Sequence, residues 1–70
     1  MQLQHQIQTL KAEARQMLAA PLLDVRYAAK FAGNLLNCAS KADRANMKTD
    51  AEELRCLATK LQLRLQVKAQ

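Results

Sequence analysis

The sequence predicts an all-α protein, a short helical bundle built on an antiparallel αα-hairpin and completed by dimerisation. Three observations predict it. Ala, Leu, Gln, Lys and Arg dominate the 70 residues, while Gly and Pro occur once each; these are the residue types that lose least on entering a helix. Apolar positions recur in steps of three and four along most of the chain. The apolar stripes also outnumber those a lone small domain has room to cover.

The first helix is expected over about residues 2–20. Leu3, Ile7, Leu10, Ala14 and Met17 recur at alternating steps of four and three, one stripe of a helix that also fits a coiled-coil seam. The segment from Gln2 to Gln8 alternates polar and apolar residues, a strand pattern. The helix reading is preferred because it also accounts for Leu10 through Met17. Pro21 then punctuates, since it disfavours α geometry at Ala20 and lacks a backbone donor.

The second helix is expected over about residues 21–45, with Pro21 at its first position and Asp24 in its first turn, where an acid complements the macrodipole. Its apolar arc holds Tyr27, Phe31, Leu35, Leu36, Val25 and a run of alanines. At ~100° per residue that arc spans about 200°, nearly twice the width that one buried face requires, so the helix is expected to be covered on two sides. Asn46 suits a left-handed residue just past the helix end.

The third helix is expected over about residues 50–68, opened by a capping box from Thr49 with Glu52 or Asp50 with Glu53. Met47, Ala51, Leu54, Ala58, Leu61 and Leu65 form its main stripe. Cys56, Leu63 and Val67 fall on the other side. Leu54, Leu61, Leu65, Cys56, Leu63 and Val67 together are the expected oligomer interface. All 70 residues read as a single helical domain, with no repeat, linker or low-complexity tail.

Composition also excludes. No run is long and apolar enough to span a membrane, and no basic segment leads into an apolar one as in a secretory signal. The expected location is the cytoplasm, with Cys38 and Cys56 as reduced and mostly buried thiols. His5 is the only histidine and lies far from both cysteines, so a structural zinc site lacks ligands. Glu52 and Glu53 are adjacent and point about 100° apart on a helix, which suits dipole charges rather than a catalytic pair. Gly33 is the only glycine, so no glycine-rich phosphate loop exists. The expectation is a non-enzyme with no cofactor, no metal, no small-molecule substrate and no catalytic residue.

The informative feature is the polar face of the second helix. Arg26, Lys30, Asn34, Asn37, Lys41 and Arg44 fall in one strip with no acid between them. Ordinary solvated faces mix both signs. A single-sign strip interleaved with asparagine suits an acidic surface, in keeping with a formal net charge of +5. Tyr27 and Phe31, four residues apart, are core residues by default and possible hydrophobic anchors if left uncovered. Lys60, Arg64 and Lys68 form a second basic line that suits the last turns of a helix. Lys11 and Arg15 read as an ordinary i,i+4 pair. Gly33 suggests a close helix crossing. With Ala29 and Ala32 it also matches the small positions of a helix-turn-helix, but Leu35–Ala39 lacks the pattern of a recognition helix.

In outline alone, a short helical-hairpin dimer resembles plasmid copy-number RNA-binding bundles, small secretion chaperones and small phage-encoded regulators. Such a resemblance of shape implies no residue roles. The expected function is a small regulatory or adaptor homodimer that occludes or scaffolds another protein, with an acidic protein favoured over nucleic acid as partner. The rivals are nucleic-acid binding by the same strip and a structural or chaperone role in a larger helical assembly.

Overall fold

The computed structural model describes residues 2–69, with side chains through Gln66. It holds three helices: α1 over Gln2–Ala19, α2 over Val25–Arg44 and α3 over Lys48–Ala69. The strand pattern near the N-terminus is overridden, since Gln2 onward is helical. The helices lie alongside one another in a rod of 38 × 17 × 16 Å. The radius of gyration is 12.0 Å, above the value of about 11 Å for a compact chain of this length.

Each boundary has a local cause. α2 starts at Val25 rather than at Pro21, because Asp24 is the N-cap and not a first-turn residue. Its backbone is extended (φ −73°, ψ 110°) and its carboxylate accepts a hydrogen bond from the Tyr27 N–H at 3.2 Å. That satisfies one of the donors a helix start leaves free. Pro21 therefore sits in the connection, where its missing N–H costs nothing. At the other end Asn46 takes φ 67°, as its side chain tolerates. The Met47 N–H reaches the Ala42 carbonyl at 2.8 Å and the Asn46 N–H reaches Asp43 at 3.1 Å. This pair of bonds is a Schellman ending. It places Met47 directly at the start of α3, with the Ala51 N–H returning to the Met47 carbonyl at 3.0 Å. The expected capping box is thus displaced: Thr49 and Asp50 lie inside the first turn, and Asp50 and Glu53 bind elsewhere.

The core runs between α2 and α3. Ala28, Ala32, Leu35, Ala39 and Ala42 on α2 and Ala51, Leu54, Ala58 and Leu61 on α3 belong to one core cluster, all essentially without exposure. Small residues let two helices approach toward the close end of the usual range, about 8 Å. Phe31 and Cys38 complete the α2 side. α1 adds Ile7 and Ala14, with Leu3, Leu10, Met17 and Leu18 partly buried, and packs more on α3 than on α2.

One expectation about covered faces is corrected. Leu54 and Leu61 cannot belong to an oligomer interface, because both are 0% exposed inside this chain. Leu65 is likewise packed against the same core. The buried face of α2 is one-sided: Ala28, Phe31, Ala32, Leu35, Cys38, Ala39 and Ala42 are covered, while Val25, Ala29 and Leu36 are exposed. Within the chain only α3 and part of α1 reach α2, so the remaining apolar arc stays at the surface. Cys56 and Leu63 are exposed too, and the Val67 and Lys68 side chains lie outside the described ones. Leu57, absent from the expected stripe, is buried because α3 must also cover α1.

Candidate functional site: the basic face of the second helix

The charged residues fall into two groups, those engaged within the chain and those left free. The first group holds the bundle together. The Lys11 ammonium is enclosed, with its side chain 5% exposed, 2.5 Å from an Asp50 carboxylate oxygen and 3.0 Å from Glu53. Burial alone lowers a lysine pKa, but here the hydrogen bonds and charges of Asp50 and Glu53 outweigh it and hold Lys11 above its ordinary value. The pairing ties the middle of α1 to the first turns of α3. Arg15 reaches the same Glu53 at 4.0 Å. Sequence reasoning missed Lys11, since it reads as a surface i,i+4 partner. The available signal is its place on the Ile7–Ala14 stripe, where only a paired charge is tolerated.

Arg64 is the second engaged cation. Its guanidinium donates to the carbonyls of Met17 at 2.9 Å, Leu18 at 2.8 Å and Ala20. The last carbonyls of a helix lack i+4 donors; here Met17 also accepts from the Ala20 N–H at 3.3 Å, and Arg64 serves it together with Leu18 and Ala20, just past the helix end. Arg64 therefore caps α1 from α3, and the basic line expected on α3 is broken at its middle member. Arg55 pairs with Asp43 at 3.3 Å between exposed ends of α3 and α2.

The strip on α2 belongs to the second group. Arg26, Lys30, Asn34, Asn37, Lys41 and Arg44 are all exposed. None of the four cations makes an ion pair among the described residues. The aromatic pair beside them divides. Phe31 is 3% exposed and therefore core, not an anchor. Tyr27 is 49% exposed, lies 6.0 Å from the Phe31 ring, and its hydroxyl donates to a Glu13 carboxylate oxygen at 2.7 Å. That hydrogen bond, with lesser help from burial and the nearby charge, raises the Tyr27 pKa. The other large apolar side chains left open on or just before α2 are Leu22, at 82%, Val25 and Leu36; Val25 and Leu36 turn about 100° away from the neighbouring strip residues Arg26 and Asn37.

No three His, Cys, Asp or Glu side chains converge among the described residues. Glu52 and Glu53 diverge, Glu53 toward Lys11 and Glu52 to the surface. Cys38 is buried, which pushes its thiol pKa up despite the opposing charge of Lys41, whereas Cys56 is exposed, against expectation, on the outer side of α3. His5 lines an open hollow of about 590 Å³ along α1 with Gln2, Gln6, Thr9 and Leu10; all five come from one helix. No described helix is long and apolar enough to cross a membrane. α2 runs unbroken through Gly33, which removes the turn a helix-turn-helix needs. No protein-family model, curated protein or solved structure matches the chain.

Proposed function

We propose that this chain is a small non-enzymatic adaptor or regulator that acts in the cytoplasm as a homodimer and docks an acidic surface of another protein on the α2 strip. One observation carries the reading. The cations at the helix junctions, Lys11, Arg55 and Arg64, are engaged inside the chain, whereas those of the strip are exposed and make no ion pair among the described residues. Positive potential of this kind steers acidic partners and fixes their orientation. The open Leu22 and Val25 at the Arg26 end give a protein partner an apolar contact beside the charges, which a phosphate backbone would not use.

The test uses two labelled probes, a glutamate-rich helical peptide with leucines on one face and a DNA duplex, each titrated across a salt series. The peptide is expected to bind, with a shallow salt dependence. Lys30→Gln, Lys41→Gln and Arg44→Gln together are expected to weaken it at least about tenfold, or 1.4 kcal/mol. Preference for the duplex, with affinity falling steeply and linearly in log salt, would replace this reading with nucleic-acid binding. Binding of the peptide unaltered by the three substitutions would place the site elsewhere.

A further inference from the structure

Gly33 sits mid-helix, where glycine is destabilising relative to alanine, yet a Cβ there would meet nothing within 4 Å. The close crossing expected from the sequence is not found among the described residues. Gly33 belongs to an exposed line along α2: Arg26, Ala29, Gly33, Leu36, Ser40 and Asp43, at steps of three, four, three, four and three. That is the spacing of a coiled-coil seam. It lies on the side of α2 away from Tyr27, which reaches toward α1.

The seam is complementary to itself when reversed. We propose that a second copy of this chain packs its α2 antiparallel along this line, with the two-fold axis between Gly33 and Leu36. Leu36 of each copy then lies over Gly33 of the other. Moving outward, each step toward the N-terminus of one α2 is matched by an equal step toward the C-terminus of the other. Ala29 meets the second copy's Ser40, two small residues that permit close approach. Arg26 meets the second copy's Asp43, whose half-exposed carboxylate already holds Arg55 of its own chain at 3.3 Å and would take Arg26 as a second cation, an arrangement repeated at both ends. A knob, a hole and opposite charges all fall in register, which is what an isologous interface requires of a single patch. The parallel arrangement would instead set Arg26 against Arg26 and Gly33 against Gly33. Arg26 borders both the seam and the basic strip, and the pairing leaves Lys30, Lys41 and Arg44 for the acidic partner.

This inference rests on the homodimer in the preceding reading and specifies its surface. Sedimentation equilibrium of the reduced full chain, without any partner, tests it. The wild type is expected to self-associate as a dimer. Gly33→Gln is expected to raise the dimer dissociation constant at least about tenfold, with no loss of helicity in the dilute chain, because the site is open and glutamine is the better helix former. Arg26→Glu and Asp43→Lys are each expected to weaken self-association, and an equimolar mixture of the two to restore it, since only the mixed dimer pairs opposite charges at both ends. A monomeric wild type would overturn both the dimer and this interface. A dimer that Gly33→Gln leaves intact, or a mixture that fails to recover, would overturn this interface alone. Peptide binding by the strip is scored separately.

Discussion

Lys11 is the residue on which the placement of α1 turns. It is the one buried charge among the described residues, and its two acids lie on α3. Removing it leaves Asp50 and Glu53 partly hydrated rather than fully buried, so Lys11→Ala is expected to cost about 1–3 kcal/mol in urea unfolding, below the value for a fully enclosed pair. Its pKa is raised in the folded state, so its contribution is whole at neutral pH, below the unfolded value near 10.5, and is lost as pH rises through the folded value. The gap between wild type and Lys11→Ala should therefore be constant around neutrality and narrow in strong alkali. Arg64 makes a different demand, since its planar fork serves several carbonyls at once. Arg64→Lys keeps the charge, yet is expected to lose most of the stability that Arg64→Ala loses, about 1–3 kcal/mol, with amide exchange quickening first at the end of α1. Equal stability of Arg64→Lys and wild type would show that charge alone suffices.

At the scale of elements, α3 carries the bundle because it faces both other helices. Leu54→Ala is expected to cost about 2–5 kcal/mol, a large share of the roughly 4–10 kcal/mol that a chain this size commands, and to do so at any protein concentration. Leu63→Ala, on the exposed side, should change stability by less than about 0.5 kcal/mol; thermal or urea unfolding of the two variants separates core from surface. The periodicity of the sequence makes all three helices legible, as well as the Pro21 break, the left-handed Asn46 and the main stripe of α3. It does not say which apolar stripe meets which neighbour, because alanine reads the same whether covered or open. Leu54 and Leu61 are thus legible as apolar but not as belonging to the chain's own core. The α2 start moves from Pro21 to Val25 because Asp24 serves equally well in sequence as first-turn acid or N-cap. Lys11 and Arg64 are illegible for a further reason: their partners lie on another helix, beyond the reach of spacing rules. The basic strip is the opposite case, since α2 alone places its six residues on one face.

For the whole molecule, the division of charge is the organising feature. Junction cations close the bundle, while strip cations stay on one open side of α2, with the seam beside them. Lys30, Asn37 and Arg44 each follow a seam residue by one position, so an antiparallel pair would bring the two strips together on the same side of the dimer. Their mutual repulsion would then be relieved by an acidic partner bridging both. The most direct test of the central claim, that the α2 strip is the working surface, is to follow the backbone amides of the full chain by NMR while adding the acidic helical peptide. The perturbed amides are expected to cluster on the face bearing Arg26, Lys30, Asn34, Asn37, Lys41 and Arg44. Perturbations centred instead on the hollow beside His5, or on the Cys56 and Leu63 side of α3, would contradict it.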